Sequence, residues 1–353
     1  FKLRPISINE SLRILKNSTN SGLPFFTRKG SVKAWYAENY VSDLNKNWPC
    51  ILFTRTQEGG KTRTVWGYPM SLTLFENSYY RPLLEYQKKQ SWRSALIGPD
   101  EVDKRVTDLV NSALARNVSL LSIDFQHYDA SVKARHHKYA FDYIRSLFQK
   151  NCWEGLDYIQ DRFSSIGLLT PDGVLTGNHG VPSGSTFTNE VDSIIQYLIS
   201  TNSQYIFREN MQIQGDDGVY AIMSDNVERV FSSFTDFGLN VNKQKSGISS
   251  STCNYLQKYY SIDYRGSDGI IGGIYPVYRA LLRLVYQERW TDFEDFGILG
   301  KDYYSIRAIT ILENCKHHPL FTELVRFVHS LDKYNLNYSQ DGLNKYINML
   351  TET

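Results

Sequence analysis

Between residues 211 and 223 the chain alternates: Met211 and Ile213 are interleaved with Gln212 and Gln214, and Val219, Ala221 and Met223 resume the alternation after Gly215-Asp216-Asp217-Gly218. A period of two on both sides of a Gly/Asp turn predicts a β-hairpin, and a hairpin is stable only when something covers its apolar face. The flanking segments supply that cover. Val118, Leu120, Leu121 and Ile123 form an apolar run of buried-strand length that ends at Asp124. Residues 131–149 bring Val132, Ala140, Ile144, Leu147 and Phe148 to one helical face. After a Pro182-Ser183-Gly184 turn, residues 185–200 do the same with Phe187, Val191, Ile194, Ile195 and Leu198. Residues 227–237 read as a further amphipathic helix, 254–263 as a strand, and the remainder as mainly helical. This order predicts an α+β fold, a small antiparallel sheet backed by helices.

Length and charge narrow the reading. A chain of 353 residues, 41% of them hydrophobic, must bury a real core, and at this size two or three subdomains are expected. No apolar run approaches the roughly 18 residues of a membrane helix, and the first residues lack a signal-peptide core, so no membrane partner is expected and the protein reads as soluble and intracellular. Cys50, Cys152, Cys253 and Cys315 are too far apart for a zinc ribbon and read as reduced structural thiols. Because residue 1 is Phe, the chain is read as a fragment of a longer one. Residues 1–66 carry 11 Lys+Arg against 4 Asp+Glu, leaving an acidic remainder. That asymmetry fits either a polyanion-binding part beside a cation-holding part, or an unevenly charged surface.

Asp124 at a strand end and Asp216 and Asp217 at a hairpin tip would meet if the two strands are neighbours. Such carboxylates repel each other unless a divalent cation neutralises them, and oxygen ligands suit Mg²⁺ or Mn²⁺. Two ions roughly 4 Å apart could drive an in-line phosphoryl displacement. A Gly-Asp-Asp tripeptide by itself also arises by chance in roughly one chain in ten, and Asp-Asp-Gly is an ordinary turn.

The companion motifs decide between these readings. Asp124 and Asp129 form Asp-x4-Asp; Gly180-Val181-Pro182-Ser183-Gly184 with Thr188 opens a helix; Gly215-Asp216-Asp217 follows. In this order they resemble motifs A, B and C of viral RNA-dependent RNA polymerases. Phe237-Gly238-Leu239 with Lys245-Ser246 resembles motif D, and Tyr255 to Tyr260 motif E. Upstream, Arg55 and Gly60-Lys61-Thr62-Arg63 resemble motif F, and Thr19 to Pro24 motif G. The Gly-Val-Pro-Ser-Gly-Ser-Thr-Phe-Thr-Asn and Lys-Thr-Arg-Thr-Val-Trp-Gly runs are most similar to those of picobirnaviruses, then partitiviruses.

The resemblance implies a right-hand polymerase: fingers over 1–117, a palm over 118–264 with a finger insertion near 150–180, and a thumb over 265–353. It implies template-directed synthesis on a viral, double-stranded RNA genome, with RNA template and product and ribonucleoside triphosphates as partners, a viral capsid protein as a further partner, and residence in the virion interior and the host cytoplasm. Two Mg²⁺ or Mn²⁺ ions would sit on Asp124, Asp216 and Asp217. Arg55, Lys61 and Arg63 would hold the triphosphate, and Ser183 and Gly184 would touch the template or base. Asp129 would bond the ribose 2′-OH or serve as a helix N-cap. Many positive-strand polymerases have Asn where this chain has Asp192, so Thr188, Asn189 and Asp192 all remain candidates for reading the ribose. Ser21, Gly22 and Pro24 would contact template. Lys245, or Lys243 in reserve, would protonate the pyrophosphate. Tyr275 to Trp290, with Arg279, Arg283 and Arg289 at helical spacing, would lie on product RNA or form a surface helix. A reverse transcriptase fits less well, since it usually carries an aromatic-x-Asp-Asp hairpin and lacks the Ser-Gly-x3-Thr turn, and Gly215 and Ser183 argue against it. A non-catalytic RNA-binding protein would have lost Asp124 or Asp216.

Overall fold

The computed structural model describes residues 2–56, 62–287 and 290–352. Its centre is a four-stranded antiparallel sheet ordered Ile206–Gln214, Asp217–Ile222, Ser119–Ile123, Gly247–Ser249. Both faces are covered. Leu121, Ile213, Tyr220 and Ile222 join the core under helices Ala134–Leu147, Thr188–Asn202 and Val227–Thr235. Leu120, Val219 and Ala221 point the other way, onto Val102, Val106, Leu109, Val110 and Ala113 of helix Pro99–Arg116. Successive side chains of a strand leave on opposite faces, so a strand covered on both sides carries apolar residues on both, as Leu120 and Leu121 do, with Ser122 Oγ accepting from Asn254 N.

Helix Pro99–Arg116 is well delimited by its ends. Pro99 occupies the first turn with Asp100 and Glu101, Arg116 ends the last turn, and Asn117 stops the helix with a left-handed φ of 52°. The predicted hairpin closes as a two-residue turn: Gln214 pairs with Asp217, leaving Gly215 (φ +64°) and Asp216 at the tip. The predicted helices over 131–149 and 185–200 are present as Ala134–Leu147, after a separate turn at Tyr128–Ser131, and Thr188–Asn202.

Two expectations change. The strand over 254–263 is a tight hairpin, Thr252–Tyr255 and Lys258–Ser261, with Leu256 and Gln257 both at positive φ. Leu-Gln carries no turn signal; what bends the chain is the burial of Tyr255 and Tyr260 against helix Pro99–Arg116, where the Tyr260 hydroxyl donates to Asp103 Oδ1 at 3.0 Å. The helix read over 275–290 spans only Val277–Val285, beginning after Pro276, so its spacing holds for Arg279 and Arg283 while Arg289 lies outside the described residues.

A second sheet is assembled from distant segments. Cys50–Thr56 pairs antiparallel with Thr62–Gly67 and parallel with Leu168–Thr170, which in turn pairs with Gly173–Leu175. Residues 168–175 therefore return to the amino-terminal sheet. Beyond residue 276 the chain is helical, with its own cores around Tyr303 and around Leu312 and Leu324. Arg28 reaches this part, 3.2 Å from Asp292. All four cysteines are buried and free. Among the described residues no helix is long and apolar enough to cross a membrane.

Gly218 lets helix Thr188–Asn202 approach the hairpin, because a Cβ there would lie 1.9 Å from Gln196 Oε1. Gly218→Ala should therefore destabilise the fold by about 1–3 kcal/mol in chemical denaturation; a wild-type midpoint would show that this contact yields freely.

Candidate active site

The carboxylates gather at one end of the central sheet. The last register pair of its middle strands is Ile123 with Gly218, so one residue further on Asp124 comes beside Asp217, with Asp216 in the adjoining turn. The main chain of Asp124 is pinned on both sides: its N–H donates to Ser246 Oγ at 3.0 Å and its carbonyl accepts from Asn242 N at 2.8 Å. Asp129 lies in the one-turn helix Tyr128–Ser131, where His127, not Asp129, holds the capping position. The Asp129 carbonyl accepts from Val181 N at 2.8 Å, and a Cβ on Gly180 would come within 2.2 Å of that oxygen, so the 180–184 loop lies tightly on this turn. Asp192 is buried one turn into helix Thr188–Asn202, and its Oδ1 has no hydrogen-bond partner among the described residues.

Burial and mutual repulsion act together on these groups. Desolvation, then the neighbouring charges of Asp216 and Asp124, raise Asp217 to about 7. Desolvation and the charges of Asp129 and Asp216 push Asp192 far above the carboxylate range. Asp129 and Asp216 keep solvent-facing surface, yet the protein around them restricts hydration enough to raise both, while Arg63 pulls both back down. Among the described residues no three His, Cys, Asp or Glu side chains converge into a closed metal cage. The oxygen-only, mutually repelling carboxylates Asp124, Asp216 and Asp217 nevertheless fit Mg²⁺ or Mn²⁺, since Mg²⁺ is commonly held by one or two carboxylates together with substrate phosphates.

Helix Thr188–Asn202 holds the turn. Gly215 N donates to Ser193 Oγ at 2.8 Å, Gln196 Nε2 donates to Gly215 O at 2.9 Å, and the Tyr220 hydroxyl donates to Gln196 Oε1. The helix is itself anchored by Arg93, which is completely buried and donates to Glu190 Oε1 at 2.6 Å and Asn189 Oδ1 at 3.0 Å. Next to Arg93, Ser94 Oγ donates to Gln212 and Trp92 O accepts from Ile213 N, so one segment clamps both the helix and the hairpin.

The basic strands approach from the other side. Arg55 stands directly opposite Arg63 in the Cys50–Thr56/Thr62–Gly67 pair. Like charges so placed cost stability and suit an anion between them. Lys61 lies outside the described residues. Trp66 N donates to the exposed Ser183 at 3.3 Å, and Gly184 packs so close that a Cβ would fall 1.7 Å from Trp66 O. Thr188 closes its own loop, its hydroxyl donating to Pro182 O at 2.9 Å. Lys245 is exposed, whereas Lys243 is engaged by Glu228 at 2.5 Å. In the first loop Ser21 is buried and its hydroxyl is used within the turn. Gly22 packs under Tyr68 O, so Pro24 is the exposed member of the predicted trio.

Arg93, Glu190, Ser193, Gln196 and Glu76 escaped the sequence reading. Ser193 and Gln196 do carry a signal in retrospect: they are polar positions on the buried face of an otherwise apolar helix. Arg93 and Glu76 carry none, because ordinary surface residues have the same local sequence.

The comparisons with known proteins agree with one another. A family model described as viral RNA-dependent RNA polymerase matches residues 3–267. A potential RNA-dependent RNA polymerase of human picobirnavirus (strain Human/Thailand/Hy005102/-) is 29% identical over 366 aligned positions, covering 97% of this chain and 67% of that protein. An RNA-directed RNA polymerase of Cryptosporidium parvum virus 1 (strain KSU-1) is 26% identical over 275 positions, covering 69% and 52%. The crystal structure of a human picobirnavirus RNA-dependent RNA polymerase superposes with a TM-score of 0.83 at 26% identity, over 99% of this chain and 70% of that one. Its insertion-loop deletion mutant gives 0.85 at 27% identity, over 100% and 73%.

Two outcomes follow from the buried charges. Arg93→Met leaves Glu190 buried without its cation and should cost about 3–5 kcal/mol in urea denaturation, much of it recovered by Glu190→Leu in the same chain; a neutral single substitution would mean that Glu190 finds water. Glu76, buried and raised from 4.5 to about 7 by desolvation, keeps its proton in the fold over a range where the unfolded chain has lost it. Its contribution to stability is thus fully present below pH 4.5 and lost as pH rises through 7, on the order of 3 kcal/mol. The stability of wild type relative to Glu76→Gln should fall by about that much as pH rises from 4.5 to 7, whatever the constant offset between the two proteins, in denaturation midpoints; parallel pH curves would contradict the shift.

Proposed function

We propose that this chain, which belongs to the viral RNA-dependent RNA polymerase family, makes RNA on an RNA template by two-metal nucleotidyl transfer, as part of replicating and transcribing a double-stranded viral genome. The observation that carries the reading is the register that brings Asp124 beside Asp217, with Asp216 in the adjoining turn and Arg63 close enough to act on Asp129 and Asp216. Asp124 and Asp216 are assigned as the principal ligands of Mg²⁺ or Mn²⁺, with Asp217 beside them. When bound, the ions would lower the pKa of the attacking hydroxyl and offset charge on the leaving pyrophosphate.

The remaining roles belong to the chain itself. Arg63 and Arg55 face each other as a pair suited to the triphosphate, Arg63 as a planar two-pronged donor, and Lys61 is assigned with them. Asp129 and Asp192 flank the ribose position. Thr188 already spends its hydroxyl on Pro182 O and Asn189 its carbonyl on Arg93, whereas Asp192 has an oxygen to spare, which favours Asp192 as the partner of the 2′-OH. A buried acceptor that a deoxyribose leaves unpaired discriminates strongly. Lys245 is assigned as the proton donor to pyrophosphate, since Lys243 is held by Glu228. Pro24 and the exposed edge of Ser183–Gly184 are assigned to the template.

The sheet connectivity supports a palm around the central sheet, a finger insertion over 168–175, and a thumb after residue 265. It also argues for starting the palm before Pro99, because helix Pro99–Arg116 shares the palm core. Partnership with a capsid protein and residence in virion and cytoplasm rest on the resemblance alone.

Incorporation of labelled ribonucleotide on single-stranded RNA with Mg²⁺ or Mn²⁺ is the direct assay. Asp216→Ala should lower the rate by at least about 10²-fold with RNA affinity near wild type; an equal loss of synthesis and RNA binding would count against a catalytic role.

A further inference from the structure

The Ser183–Thr186 loop is held from outside by one carboxylate. Glu76, in the middle of helix Met70–Gln87, has no exposed surface and accepts from three donors on two adjacent residues. Ser185 Oγ lies 2.9 Å from both of its oxygens, Thr186 N donates at 2.9 Å and Thr186 Oγ at 3.0 Å. Ser185 Oγ also accepts from Phe187 N at 3.1 Å, so the hydroxyl relays the hold into the start of helix Thr188–Asn202.

A buried carboxylate is costly unless something offsets its charge. No cation lies within ion-pair distance of Glu76 among the described residues, and the nearby Arg162 donates instead to Trp48 O. The offset comes from the hydrogen bonds of Thr186 N, Ser185 Oγ and Thr186 Oγ, with a smaller attraction from Arg162. These bonds offset the desolvation only in part, leaving Glu76 at about 7, so the hold is strongest above neutral pH, where the acceptor is ionised and its hydrogen bonds are roughly twice as strong as neutral ones. The carboxylate therefore fixes Ser185 and Thr186 firmly while Ser183 stays exposed.

Three parts of the site are set from this point. Ser183 accepts from Trp66 N on the strand that carries Arg63; Gly184 packs on Trp66 O; and the helix beginning at Thr188 carries Asn189 and Asp192. We infer that Glu76 is a positioning residue for nucleotide selection, fixing the Ser183–Thr186 loop so that the ribose-facing residues of the helix and the triphosphate-facing strand keep one spacing. The inference rests on the polymerase reading above.

The test compares wild type, Glu76→Gln, Glu76→Ala and Ser185→Ala in kcat and KM for a ribonucleotide and its 2′-deoxy counterpart. Glu76→Ala should raise the ribonucleotide KM and lower the ribose/deoxyribose preference by about tenfold each, with Glu76→Gln between it and wild type. Ser185→Ala should reproduce the effect, and Glu76→Ala/Ser185→Ala should add little to either alone. A purely structural role would change the active fraction and leave KM and sugar preference at wild-type values, and that result would overturn the inference. If Glu76→Ala does not fold, Glu76→Gln and Ser185→Ala decide. Hydrogen exchange at the Thr186 and Phe187 amides needs no catalysis: it should quicken in Glu76→Gln, and unchanged exchange there would overturn the inference even if the wild-type chain made no RNA, a result that would sink the polymerase reading instead.

Discussion

The two hydrogen bonds at the main chain of Gly215, its N–H donating to Ser193 and its carbonyl accepting from Gln196, hold Asp216 and Asp217 beside Asp124, against a repulsion that burial intensifies. Side-chain electrostatics alone would favour separating these carboxylates. Main-chain anchoring avoids this, because it fixes the turn without neutralising or occupying a carboxylate. The same device holds Asp124 through Ser246 and Asn242, and Asp129 through Val181. The backbone around the acidic side chains is thus immobilised without any ion pair, among the described residues, that would neutralise them.

Farther out, the buried polar groups form a layer that positions these anchors. Arg93 ties helix Thr188–Asn202 to the segment that also bonds Gln212 and Ile213. Glu76 sets the loop leading into that helix. Replacing such charges by apolar residues of similar size often raises stability. Their presence in this position is better explained by directional hold: a charge-assisted bond fixes an angle and a distance, which an apolar contact does not. Glycines complete the arrangement at two points of closest approach, Gly184 against Trp66 O and Gly218 against Gln196.

Much of this was legible in the chain. Period-two alternation around residues 215–218 predicted a hairpin, though it closes more tightly than expected, with Asp217 already in the strand and only Gly215 and Asp216 at the tip, and the run at 118–123 predicted a buried strand. The ordered carboxylate, Ser-Gly and basic motifs pointed to the polymerase family, and the matched family model and relatives agree. What could not be read has physical causes. Leu256–Gln257 turns because the tyrosines on either side are buried, a tertiary effect with no local signal. The helix read over 275–290 stops at Val285, and Arg289, six residues beyond Arg283, falls out of the helical spacing that Arg279 and Arg283 keep. Arg93 and Glu76 act through contacts with residues about a hundred positions away, and a single sequence carries no trace of such a pairing. Pattern reveals faces and turns; it does not reveal which distant polar groups meet.

The central claim is that the Asp124, Asp216 and Asp217 cluster is built for divalent cations. Thermal unfolding of the chain with and without Mn²⁺ near pH 7.5 tests it without requiring catalysis, because a ligand bound only by the folded state raises Tm by mass action. The account predicts a concentration-dependent rise in wild type that is lost in Asp124→Asn/Asp216→Asn. An equal rise in both proteins, or none in wild type, would contradict it.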